Sequence, residues 1–174
     1  AERSGITGIA LTNSGCQPLA GVYREAKYRC LNFNTSVLEF IEARPDLKQI
    51  FLVGYWRVPL MGKSYDNNNF LIKDEKTSLI SPEENRRVFQ RGLERTVAQL
   101  DGREVFLVED VPEVGAKYGK ALANHFVRSV WLTGEGVDAL YYEDVRDEYI
   151  VAFEAVLDSL NGVYQWFPVK HRLC

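Results

Sequence analysis

The sequence predicts a three-layer α/β/α sandwich built on a mostly parallel sheet. Three observations carry that expectation. Short continuous apolar runs, KQIFLVGY and EVFLVED, have the length and composition of strands buried inside a parallel sheet. Between and after them lie segments whose apolar residues recur at helical spacing. These helical segments start and stop at recognisable capping residues, so strands and helices alternate along the chain as crossover connections require.

Taken in order, GITGIALTNSG reads as a first short buried strand with Ile6, Ile9 and Leu11 apolar, ending in a turn at Asn13, Ser14 and Gly15. A loop with Pro18 and Gly21 follows. A helix is expected from Asn34 to Ala43, with Asn34 as its cap, Phe33, Val37, Leu38, Phe40 and Ile41 at helical spacing, and Pro45 marking its end. Lys48 to Tyr55 is the second strand, and the aperiodic stretch from Trp56 to Leu79 reads as a long excursion over the surface.

Ser81-Pro82-Glu83-Glu84 is the clearest local signal. Ser81 can accept from a free backbone N–H, Pro82 sits where its missing N–H does no harm, and Glu84 is placed to close a capping box. The helix that follows carries Val88, Phe89, Leu93, Val97 and Leu100 and stops at Asp101-Gly102. A strand is expected from Glu104 to Asp110. Within Val111 to Tyr142 the pattern breaks into short helical pieces, with VDALY (Val137 to Tyr141) as a short strand. Asp144 can cap a last helix bearing Tyr149, Phe153, Val156, Leu157 and Leu160, which Asn161-Gly162 ends before a final strand in VYQWFPV.

The 174 residues suffice for one domain with a single core. At 46% hydrophobic and 26% charged, with a net charge of −3, the composition is that of a globular protein and offers no basic face for nucleic acid. No apolar run approaches the roughly 20 residues needed to cross a bilayer. There is no CxxC, no HExxH and no His/Cys cluster, so neither a metal nor another cofactor is expected. Of the three cysteines, Cys16 and Cys30 flank a short polar stretch. Their spacing is compatible with a bridge closing a loop of about 15 residues and equally with two separate buried thiols.

In open parallel sheets ligands bind at the carboxyl ends of the strands. That rule selects three loops: Asn13 to Cys16, Tyr55-Trp56-Arg57, and Asp110 to Glu113. The candidate pocket residues are therefore Ser14, Gly15, Trp56, Arg57 and Asp110. Ser14-Gly15 stands out chemically, because backbone N–H groups beside a glycine can approach a developing oxyanion without an intervening Cβ. No GxSxG elbow and no Gly-Asp-Ser is present, and the two histidines, His125 and His171, have no motif around them. No catalytic nucleophile or base is assigned within the chain.

SGCQPLAGVYREAKYRCLNFNTSVLEFI, the apolar strand closing on Tyr55-Trp56, the helix before GREVFLVEDVPEVG, and a C-terminal segment reaching Cys174 follow one another in a familiar order. Together they resemble the extracytoplasmic SGNH-like domain fused to acyltransferase-3 membrane proteins, which O-acylate surface polysaccharides such as lipopolysaccharide O-antigen. The resemblance implies a single incomplete SGNH/flavodoxin-like domain over residues 1–174. It makes Gly15 an oxyanion-hole donor, pairs Cys16 with Cys30, and gives Cys174 a partner beyond the chain. It places the nucleophile's Gly-Asp-Ser block before Ala1 and the Asp-x-x-His block after Cys174, so this chain alone is expected to be inactive and to present an unpaired sheet edge. It further implies an acyl donor delivered through a fused or associated membrane acyltransferase domain, a polysaccharide acceptor, no nucleic acid partner, and a periplasmic or extracytoplasmic location tethered to the inner membrane. A non-catalytic module of the same fold, binding glycan or a partner, is the alternative.

Overall fold

The computed structural model describes residues 7–24, 29–62, 71–108, 139–160 and 165–167. In chain order these form α1 (Cys30–Glu42), β1 (Gln49–Val53), α2 (Arg57–Met61), α3 (Pro82–Gln99), β2 (Glu104–Val108), α4 (Ala139–Ser159) and β3 (Gln165–Phe167). The strands make a small parallel sheet in the order β1-β2-β3, with Ile50 opposite Val105 and Leu52 opposite Leu107. Helices with a parallel sheet are the α/β class expected.

Position in the sheet decides how each strand is buried. β2 is central, and Val105, Phe106 and Leu107 are buried in succession. β1 was expected to be covered on both faces, but its burial alternates: Ile50 and Leu52 point into the core while Phe51 and Val53 are exposed. Successive side chains point to opposite faces of the sheet, so this alternation means that one face of β1 is covered and the other open. Phe51 stacks on Phe106 across the register at 4.7 Å between ring centres, so part of its apolar surface is still covered.

The core lies on the Ile50/Leu52 face. Trp56, Phe89 and Phe153 meet there at ring distances of about 6 Å, and Tyr149 stacks on Phe153. Leu60, Val88, Leu93, Val97, Val156 and Leu160 complete it from α2, α3, α4 and the residue after α4. The capping signal is realised: the Ser81 hydroxyl accepts from the Glu84 N–H at 3.1 Å, with Pro82 at the first helical position. The Glu84 carboxylate instead accepts from Arg91.

Five expectations are corrected. Residues 7–13 form no strand, and Ile9 and Leu11 are exposed; an extended run gains nothing where, among the described residues, no neighbour pairs with it. The first helix begins at Cys30 rather than at Asn34, because the Cys30–Asn34–Ile41 positions continue the buried stripe backwards. Trp56 to Leu79 is not a surface excursion as far as it is described. Trp56, Val58, Leu60, Met61, Ile72 and Asp74 are all buried, and Gly62 ends α2 at φ 69°. Ala139 to Tyr141 belong to α4 and not to a strand, and Asp144 lies inside that helix rather than capping it. The segment 111–138 falls outside the described residues.

Candidate functional site at the carboxyl ends of the strands

Parallel strands deliver all their carboxyl ends to one side of the sheet, and Pro18, two residues after the Asn13–Cys16 turn, packs there against the end of β1. β1 ends at Val53, and a Cβ built on Gly54 would lie 3.2 Å from Pro18 Cδ and 3.3 Å from the Trp56 ring. Pro18 therefore sits against the end of β1 and brings the Asn13–Cys16 turn with it. The Trp56 indole N–H donates to the Val108 carbonyl at the end of β2, at 2.8 Å. The sheet end is thus tied across two strands by one side chain.

The turn itself is closed by the Cys16 N–H donating to the Asn13 carbonyl at 3.2 Å, with Gly15 at φ 75°. That conformation is left-handed, which favours glycine. Ser14 and Gly15 are exposed, and among the described residues neither backbone N–H is engaged in a hydrogen bond. An exposed, uncommitted N–H on a fixed glycine turn can donate to an anionic oxygen. Cys16 is joined to Cys30 at the first residue of α1 in a disulfide, Cα to Cα 5.1 Å, so the turn is covalently anchored to a helix.

Behind the turn, the irregular stretch 17–20 is held by side chains. The Asn34 amide donates to the Gln17 carbonyl at 2.8 Å and to the Leu19 carbonyl at 3.1 Å. The Thr96 hydroxyl lies 3.1 Å from the Pro18 carbonyl and accepts from the Ala20 N–H at 2.8 Å. Arg95 Nε donates to the Ala20 carbonyl at 2.9 Å. Gly92 lets this stretch approach α3 closely, for a Cβ there would fall 2.5 Å from Val22 Cγ2. Three of the four carbonyls of residues 17–20, those of Gln17, Leu19 and Ala20, therefore each face a side-chain donor, which is how irregular backbone can be buried at tolerable cost.

Of the other candidates, Trp56 is wholly buried and its N–H is committed to Val108, so it braces the strand ends from beneath. Arg57 opens α2 and is half-buried next to it. Asp110, with Glu113, His125, His171 and Cys174, lies outside the described residues.

A charged cluster sits on the other side of residues 17–22. Asp74 is 1% exposed and accepts from Arg91 through both carboxylate oxygens at 2.8 Å, from Arg95 at 3.3 Å, and from the Thr77 hydroxyl. The Arg91 hydrogen bonds, foremost, hold its carboxyl well below the usual carboxylate range against the opposing effect of burial. The sequence offers no local sign of this cluster, and it marks Asn34 as a helix cap, whereas Asn34 lies inside α1 and holds residues 17–19. Asp74 lies in a polar run, DEKT, that looks solvated. Asn34 did leave a trace, since it occupies a core-facing position four residues after Cys30, where an apolar residue is the rule.

No helix among the described residues is long and apolar enough to cross a membrane. Comparison with curated proteins and with solved structures yielded no match. The family model for the SGNH domain (fused to AT3 domains) matches residues 1–174, the whole of the chain. The glycine turn anchored at the strand ends thus belongs to a chain that is a member of the SGNH family of domains fused to AT3 domains.

Proposed function

We propose that this domain acts in O-acyl transfer to, or ester hydrolysis on, a cell-surface polysaccharide, with the Gly15 N–H as an oxyanion donor. The observation that carries the reading is the exposed Gly15 turn, unengaged and disulfide-anchored at the carboxyl end of a parallel sheet in a chain of this family. In the complete protein, the serine of a Gly-Asp-Ser block attacks the acyl carbonyl and gives its proton to the histidine of an Asp-x-x-His block. The carbonyl oxygen gains negative charge and takes a hydrogen bond from Gly15. The donor's leaving group departs with the proton and an acyl-serine remains. A sugar hydroxyl then attacks the acyl-serine, its proton passes to the histidine, and the serine is restored. With water as the attacking group the same steps are hydrolysis.

Fusion to an AT3 domain supplies an associated acyltransferase partner. We assign acyl delivery to that membrane domain and place the present domain on the extracytoplasmic side, tethered by it. Ser14 and Arg57 flank the turn and the end of β1, where the acceptor sugar would enter.

The test is p-nitrophenyl acetate turnover by the full-length protein in detergent. Wild type is expected to release p-nitrophenol, and changing the serine of the Gly-Asp-Ser block is expected to abolish release. Gly15→Ala, which strains a left-handed turn and displaces its N–H, is expected to lower kcat by about 10²-fold or more. A wild-type protein that turns over no acyl ester, yet binds the polysaccharide, would leave the non-catalytic module as the correct reading.

A further inference from the structure

Asn34 is an unusual residue for its position. It lies in the second turn of α1, 6% exposed, with the helix continuing to Glu42. Asparagine is a poor residue for a helix interior because its side chain competes for nearby backbone groups. A buried amide also costs stability unless its hydrogen bonds are made. Here the amide makes them, but outside its own helix: both N–H groups reach across to the carbonyls of Gln17 and Leu19.

Cys30 and Asn34 are four residues apart on one face of α1. The first grips Cys16 through a covalent bond, and the second grips Gln17 and Leu19 through hydrogen bonds. A disulfide alone fixes the distance between two points and leaves the chain beyond them free to pivot. A bidentate amide placed directly after it removes that pivot, because two carbonyls two residues apart must both face the same NH2 group. The pair therefore fixes where the Ser14-Gly15 turn points as well as how far it lies from α1.

We propose that Asn34 is a positioning residue, which sets the orientation of the Gly15 N–H and through it the rate of the chemical step. The proposal rests on the functional reading given above. It predicts a loss in kcat and not in KM, since orientation of a transition-state donor leaves ground-state binding of a small ester nearly untouched.

The experiment compares Asn34→Ala with Asn85→Ala in the full-length protein. Asn85 is the matched control: it is 2% exposed inside α3, accepts from the Ile72 N–H at 2.8 Å and donates to the Pro59 carbonyl, so its side-chain hydrogen bonds go to segments other than residues 13–20. Two readouts are taken: p-nitrophenyl acetate kinetics, and hydrogen exchange at the Cys16, Leu19 and Ala20 amides, which are bonded in the native turn and loop. Asn34→Ala is expected to lower kcat about 10- to 100-fold with KM within about twofold. It is also expected to speed exchange at those three amides at least about tenfold, while Asn85→Ala changes neither. Should the alanine protein not fold cooperatively, Asn34→Ser, which retains one donor, replaces it and is expected to show both effects in smaller measure.

Unchanged exchange at the three amides in the Asn34 variant overturns the proposal. So does faster exchange with an unchanged kcat, or an equal loss of kcat in the Asn85 variant. A wild-type protein without esterase activity would instead overturn the functional reading, and the exchange arm would still report whether Asn34 holds the turn.

Discussion

Two irregular segments lie side by side against α3, and they are held by different chemistry. Residues 17–20 are fixed by neutral side chains, the donor Asn34 and the acceptor Thr96, by one arm of Arg95, and by the Cys16–Cys30 bridge at their head. Residues 72–77 are held at Ile72 by the Asn85 amide and otherwise by a buried charge: Asp74 faces Arg91 and Arg95, and Arg91 also pairs with Glu84 at 2.9 Å. The segments touch through an antiparallel bridge between Tyr23 and Lys73, and they share Arg95, whose Nε serves Ala20 while its terminal nitrogens serve Asp74. The segment that carries the candidate oxyanion turn depends little on protonation. Its neighbour depends on it strongly.

The largest effect that separates the two is expected at Asp74. Asp74→Ala leaves Arg91 and Arg95 without their buried anion and should cost about 3–5 kcal/mol in urea unfolding at pH 7. Because the native carboxyl is held below its ordinary range, the contribution is fully present above about pH 4. It is lost as pH falls from there toward the native value, so the gap between wild type and variant should narrow progressively below pH 4. A gap that stays constant down to pH 2 would mean that the cluster is not what holds residues 72–77.

Next in size is the disulfide. With 14 residues of separation, the bridge should contribute roughly 3 kcal/mol by restricting the unfolded chain. A protein with both Cys16→Ala and Cys30→Ala should lose about that amount, and dithiothreitol should then have no further effect on it. Unlike the Asp74 variant, its deficit should be the same at pH 7 and pH 3, which two urea titrations would show. A pH-dependent deficit would break the contrast between the segments.

Those two segments also divide what was legible in the sequence from what was not. The Gly15 turn and the Ser81 cap are local devices, each encoded within a few adjacent residues, so pattern alone finds them. The central strand is legible for the same reason, as the four residues VFLV after Glu104 are apolar without a break. The Cys16–Cys30 pairing comes only with the family resemblance, since the spacing leaves two separate thiols open. Asp74 and Asn34 act through partners 17 and 15 residues away or more, on elements whose packing no local pattern states. The exposed Ile9 and Leu11 show the converse, since apolar residues make a strand only where a neighbouring strand pairs with them. Trp56 marks the strand end from sequence, but only the packed structure shows that it is a brace with its N–H committed to Val108.

A smaller effect sharpens the comparison from the neutral side. Thr96→Val keeps the shape of the side chain but deprives the buried Ala20 N–H of its acceptor. An orphaned buried donor should cost about 1–3 kcal/mol, independent of pH between 3 and 7. Combined with the double cysteine change it should couple, because both grip the same short stretch; combined with Asp74→Ala any coupling must run through Arg95.

The smallest expected effect tests how far the charged segment's influence reaches. Ser81→Ala removes the helix cap and should cost about 1 kcal/mol, measured as a shift in the urea midpoint without a change in slope. Ser81 touches neither segment, so a purely local cap would be additive with every other change. Yet the N–H it caps belongs to Glu84, whose carboxylate accepts from the same Arg91 that holds Asp74. Loss of the cap lets the first turn of α3 fray and loosens Glu84 from Arg91. Ser81→Ala should therefore be non-additive with Asp74→Ala by about 0.5 kcal/mol or more, and additive with the cysteine changes. Equal additivity in both cycles would confine the charged network to Asp74 and its two arginines.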